Sequence, residues 1–232
     1  MDYYVSETTG LPLTLAGALE EHNADAIGLL SKIPGFDEIS PKEDAIMLVA
    51  HGGRLNDIDD RHTQSMEGIS RTLEAMKAAG IDHDEVRDGL PAAHRLVEHY
   101  GPGMMKAFYS SFRDQAGMSD MEHAQRLAAF ARAGVDFDAV DASGDKPLDR
   151  LMKMAEHRFA EKRPYDYDFK PLSLKDMKSG LKEEYQPVKD AAREFRVTQI
   201  VNQMAQKASL TGQRQSTTPR DRSGLGPSDP EI

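Results

Sequence analysis

The chain of 232 residues contains no cysteine and no tryptophan. Without cysteine there is no disulfide framework, no thiolate zinc site and no thiol nucleophile, and a reducing compartment is the natural setting. Long apolar runs are missing too: no stretch approaches the roughly 18 residues that a membrane span needs. The opening segment, MDYYVSETTG, is acidic and lacks the basic-then-apolar layout of a secretory signal. The expectation is therefore a soluble, cytoplasmic protein that does not engage a membrane. Also absent are a glycine-rich phosphate loop, a serine-centred elbow and a dinucleotide fingerprint. Gly101-Pro102-Gly103 lacks the strand and lysine that a phosphate loop requires, and reads instead as the opening of a helix. No cofactor is implied, and these absences weigh against an enzyme without excluding one.

Charge is present but unevenly placed. The net charge is −10, and residues 1–159 hold 28 Asp and Glu against 16 Lys and Arg. Residues 160–208 hold 10 basic residues against 8 acidic ones, and the last 24 hold 3 of each. An acidic body repels a phosphate backbone, so nucleic acid is not the expected ligand. A partner protein with a basic surface is the natural complement.

One phrase recurs. A helical run ends in Gly, followed by an apolar residue, Asp, a turn-rich stretch and a Pro that starts the next helix. It appears as AGIDHDEVRDGLPAAHRL from Ala79 and as AGVDFDAVDASGDKPLDRL from Ala133, with a shorter echo from Pro34. Gly35, Gly80 and Gly134 end the helical runs, since Gly takes the left-handed conformation that a helix C-terminus favours. Phe36-Asp37, Ile81-Asp82 and Val135-Asp136 follow, the apolar residue tucking back and the Asp suiting a turn. Asp88-Gly89 and Ser143-Gly144 give a second turn signal, and Pro91 and Pro147 suit helix starts. Internal repetition of this kind points to a stacked array of one supersecondary unit.

The second copy, from Gly134-Val135-Asp136 through Asp141 and Gly144 to Pro147-Leu148, resembles the ankyrin repeat. A segment from Gly10, with Pro12, Leu13, Ala16, Leu29 and Leu30, is similar to most of another unit. The resemblance spans about residues 8–158. Lys146 and Leu90 stand where that pattern has Thr, and Asp149 where it has His. The Gly markers lie 45 and 54 residues apart against an ankyrin period of about 33, which rules out a regular array. An extra helix over GPGMMKAFYSSFRDQAG, carrying Met104, Met105, Phe108 and Phe112, accounts for part of the excess, and Ser119 with Glu122 forms a capping box for the next helix.

The expected fold is thus all-α, with short hairpins between helices: an ankyrin-like helical domain over 1–159, an extended linker over 160–171, one or two capping helices over 172–208, and a disordered tail over 209–232. Tyr165, Tyr167 and Phe169 alternate with Asp in the linker. Pro187 restarts a helix at a bend, and the tail is too poor in apolar residues to order itself. The tail also resembles the transfer signals of some bacterial type IV secretion substrates, which implies delivery into a host cell as an effector.

The resemblance implies a protein-interaction scaffold or adaptor whose partner meets the hairpin tips and inner helices. The candidate contact residues are Asp37, Glu38, His83, Asp84, Glu85, Arg87, Phe137, Asp138 and Asp141, with Phe137 read as an exposed aromatic anchor. The alternative is a metal-dependent enzyme using His51, Asp57, Asp59, Asp60 and His62, a loop whose carboxylates and imidazoles suit a divalent ion but match no known ligand spacing. His94 and His99 are five apart, on different sides of a helix, and read as surface or half-buried residues. The methionines read as core filling.

Overall fold

Gly80 and Gly134, two of the three glycines expected to stop a helix, do so through the same pair of hydrogen bonds, and Gly35 lies outside the described residues. The computed structural model describes residues 14–34, 44–52, 61–105, 120–161 and 172–215, with 61–65, 120–121 and 209–215 as backbone alone. Nine helices and no strand occur among the described residues. They are α1 (Leu15–Glu20), α2 (Ala24–Leu30), α3 (Ala45–His51), α4 (Arg61–Ala78), α5 (Ala92–Met104), α6 (Asp120–Ala133), α7 (Pro147–Glu161), α8 (Leu174–Glu184) and α9 (Gln186–Gln215). No described helix is long and apolar enough to cross a membrane.

At the end of α4 the Ile81 N–H donates to the Met76 carbonyl at 2.9 Å and the Gly80 N–H to Lys77 at 3.2 Å. At the end of α6 Val135 donates to Phe130 at 3.1 Å and Gly134 to Ala131 at 3.2 Å. This is the Schellman closure, which places the Gly at positive φ, here +75° at Gly80 and +111° at Gly134. In both copies the next Asp folds the chain: Asp82 Oδ1 accepts the Asp84 N–H at 2.8 Å, and Asp136 Oδ1 accepts the Asp138 N–H at 2.9 Å.

The copies then diverge. Arg87 and Leu90 exchange backbone bonds across Asp88-Gly89, whose φ values are both positive, as a two-residue type I′ turn demands. In the second copy, Asp141 Oδ1 gathers the N–H groups of Ser143 and Asp145 at 2.8 and 3.0 Å.

Helix contacts follow one plan. Along one row α1 packs on α3, α3 on α5 and α5 on α7; along the other α2 packs on α4, α4 on α6 and α6 on α8. Across the rows α1 meets α2, α3 meets α4, α5 meets α6 and α7 meets α8, and these pairs account for the substantial helix contacts among the described residues. The core lies between the rows and is mostly aliphatic, with Leu19, Ile27, Ile46, Ile69, Leu73, Leu96, Leu127, Phe130 and Leu151 all buried. Met76, Met104 and Met105 are buried among them, where an unbranched side chain fills irregular gaps. In the first turns of α9, Val188 and Ala191 are buried.

Several expectations change here. Gly101, Pro102 and Gly103 do not open a helix; they lie inside the last turns of α5. Their role is close approach. A Cβ on Gly101 would fall 3.0 Å from Leu151 Cδ1, and one on Gly103 2.3 Å from His123 Nε2. The expected extra helix beyond Met105 and the capping Ser119 lie outside the described residues, as do Tyr165, Tyr167 and Phe169. α7 continues to Glu161, into the expected linker. The helical run is interrupted before Pro187, at Tyr185 between α8 and α9. α9 then runs to Gln215, past Ser209, where composition predicts disorder; of the tail, residues 216–232 lie outside the described set. The chain forms two units, Met1–Phe195 and Arg196–Ile232.

Candidate functional site: an acidic edge of paired hairpins

The two described hairpins are joined to one another. The Asp136 N–H of the second donates to Asp84 Oδ1 of the first at 3.2 Å. Asp84 is half-buried there; burial raises its carboxyl above the ordinary range, as do the charges of Asp136 and Asp82, against the opposing Asp136 bond and the His83 charge. Asp82 and Asp136 are exposed beside it. The edge therefore concentrates carboxylates, partly offset by Arg87 on Glu85 at 2.8 Å and Lys146 on Asp138 at 3.1 Å.

Each hairpin also presents one apolar residue to solvent at the same place in the phrase. Val86 follows Asp82 by four residues and is 60% exposed; Val140 follows Asp136 by four and is 55% exposed. Exposed aliphatics scattered singly need no explanation. Two at equivalent positions of bonded hairpins, each flanked in sequence by acidic residues, make a patterned surface.

Sequence reasoning missed both valines, although the signal is legible as Ile81-Asp-x-Asp-x-Val86 against Val135-Asp-x-Asp-x-Val140. It chose Phe137 instead, and that choice is overturned. Phe137 is buried, 7% exposed, with its ring centroid 6.4 Å from that of Tyr185 in an edge arrangement. The residue between α8 and α9 covers it, so it is core. Asp141 is also corrected. It is buried, and its carboxyl serves the hairpin backbone and Arg150 Nη1 at 3.4 Å. The Asp145 N–H bond, with lesser help from Ser143, His94 and Arg150, holds that carboxyl below the usual range. His83, Asp84, Glu85, Arg87 and Asp138 do lie on the edge, half-buried or exposed. Asp37 and Glu38 lie outside the described residues.

Two arginines hold the edge in place, and neither was singled out from the sequence. Arg95 in α5 donates to the carbonyls of Glu85 at 2.8 Å and Leu90 at 2.6 Å, and pairs with Asp44 at the start of α3. Arg150 in α7 stands in the same local context, before a buried Leu, and pairs with Glu98 of α5 as well as with Asp141. Each thus grips its own hairpin and reaches back one helix along the row. His94, expected at or near the surface, is fully buried, and its Nε2 bonds the Asp145 carbonyl at 2.8 Å, tying α5 to the second hairpin.

The metal alternative rests mostly on side chains outside the described set. His51 ends α3, with Nδ1 on the Met47 carbonyl at 2.6 Å and its ring 4.5 Å from that of His99. Asp57, Asp59 and Asp60 lie outside the described residues, and His62 is described as backbone alone. Among the described residues no group of three or more His, Asp or Glu could hold a metal ion. No protein-family model, curated protein or solved structure matches the chain.

Proposed function

We propose that the chain is a protein-binding scaffold built of divergent ankyrin-like helical units, and that it recognises a partner with a basic surface through the hairpin edge. The observation that carries this reading is the bonded pair of equivalent hairpins, each offering Val86 or Val140 among carboxylates. Two further features support it. The helix contacts fall into two rows crossed by pairs, as a stack of two-helix units requires. The edge is pinned by Arg95, His94 and Arg150, so little ordering entropy is lost when a partner docks.

In this reading the carboxylates steer a basic partner and the valines supply apolar contact. The test is quantitative capture from the native cell, using the wild-type chain and a Val86→Asp/Val140→Asp double variant as paired baits. Surface substitutions of this kind change stability by about 0.5 kcal/mol or less, so both baits should melt alike. Partners held by the wild type should be lost from the double variant, and should elute at raised ionic strength. Equal capture by both baits would remove the hairpin edge as the binding surface.

A further inference from the structure

Among the described residues the larger apolar exposure is on α9. Val197, Ile200, Val201 and Met204 are each more than half exposed. Their spacing of three, four and seven residues places them on one helical face. From Arg196 to Gln215 the sequence has Arg196, Lys207 and Arg214 and no Asp or Glu. Residues 1–195, by contrast, hold 36 acidic against 24 basic residues. The chain therefore contains both halves of a complementary pair: an apolar helical face on a cationic segment, and an acidic edge with exposed valines.

Resting on the reading of the hairpin edge as a binding surface, we propose that the edge of one copy receives the α9 face of a second copy, so that the chain self-associates. Three considerations select this occupant. A bare helical stretch of this length is marginal in water and gains from burying its apolar face. Two α9 faces packed on each other would bring like charges together. An anionic membrane would attract the helix but repel the acidic residues of 1–195. A helix-on-edge contact instead sets the cations of α9 against carboxylates and its apolar face against the two valines.

The experiment is sedimentation velocity on the full chain from low to high micromolar concentration, at low and high salt. The wild type should gain mass with concentration, less so at high salt. Ile200→Asp/Val201→Asp should weaken self-association at least about tenfold, a loss typical of central interface residues, and so should Val86→Asp/Val140→Asp. Both variants should keep the wild-type helix content and melting temperature. Mixing the two should restore a heterodimer, because each retains the surface the other lacks. A wild type that stays monomeric throughout overturns the proposal, and so does association that survives the valine substitutions but not the α9 ones. The outcomes separate the two readings. A monomeric wild type whose captured partners still depend on Val86 and Val140 loses self-association and keeps the edge, while valine variants that lose neither association nor capture remove both.

Discussion

Replacing Phe137 with Ala should cost much of the protein's stability, although the sequence places this residue at a hairpin tip. The ring is 7% exposed and lies edge-on to Tyr185. An aromatic side chain buries about 150–250 Å², which at about 25 cal/mol per Å² amounts to roughly 4–6 kcal/mol for the whole group. Ala keeps a small part of that area, and a cavity beneath Tyr185 adds a penalty. The expected loss is about 3–5 kcal/mol, a large fraction of the roughly 5–15 kcal/mol of a typical domain. In urea, with a slope near 2 kcal/mol/M, the midpoint should fall by about 2 M. The assay is equilibrium urea unfolding followed by circular dichroism, with Val140→Ala as an exposed control from the same hairpin. The control should move by no more than about 0.5 kcal/mol. If Phe137→Ala moves as little as the control, Phe137 is a surface residue, and its placement beneath Tyr185 is wrong.

Two further substitutions probe buried polar groups. The Tyr185 hydroxyl is buried without a hydrogen-bond partner among the described residues, and burial, reinforced by the Asp138 charge, pushes its phenol far above the ordinary range. Tyr185→Phe keeps the ring against Phe137 and removes the unsatisfied group, so it should raise stability by about 1 kcal/mol; a loss of that size would mean that the hydroxyl is bonded. His22 has its Nε2 on the Val49 carbonyl at 2.8 Å; burial lowers its pKa below 6.5, with a smaller push from Arg126 and against the Val49 bond. Because the folded value is depressed, the stability His22 contributes is complete above pH 6.5 and is lost as pH falls through the folded pKa, at up to about 1.4 kcal/mol per pH unit. His22→Asn, which tolerates the positive φ of this residue, should flatten that slope between pH 7.5 and 5.5, and an unchanged slope would assign it to other groups.

What the sequence revealed is what local physics decides. Gly80 and Gly134 end their helices, Asp88-Gly89 turns the chain, and Pro91 and Pro147 stand at helix starts, because each depends only on a few neighbouring dihedrals. What it hid depends on contacts between distant segments. Phe137 looks like a tip residue until Tyr185, well downstream, covers it. Gly101-Pro102-Gly103 looks like a helix opening, but the glycines make room for Leu151 and His123 of neighbouring helices. Arg95 and Arg150 look like ordinary helical arginines, and only the packing of successive helices shows them reaching back to Asp44 and Glu98. The valines at 86 and 140 were legible by alignment of the two phrases, yet their exposure required the fold.

The central claim, that the hairpin edge is where this protein binds, is tested most directly by amide hydrogen exchange of the wild-type chain, with and without a partner captured on it. The account predicts slowed exchange over residues 81–90 and 135–146, with α2 unchanged. Protection confined to α2 and the turn after it, where Leu29 and Ile33 are also exposed, with both hairpins unaltered, would contradict it.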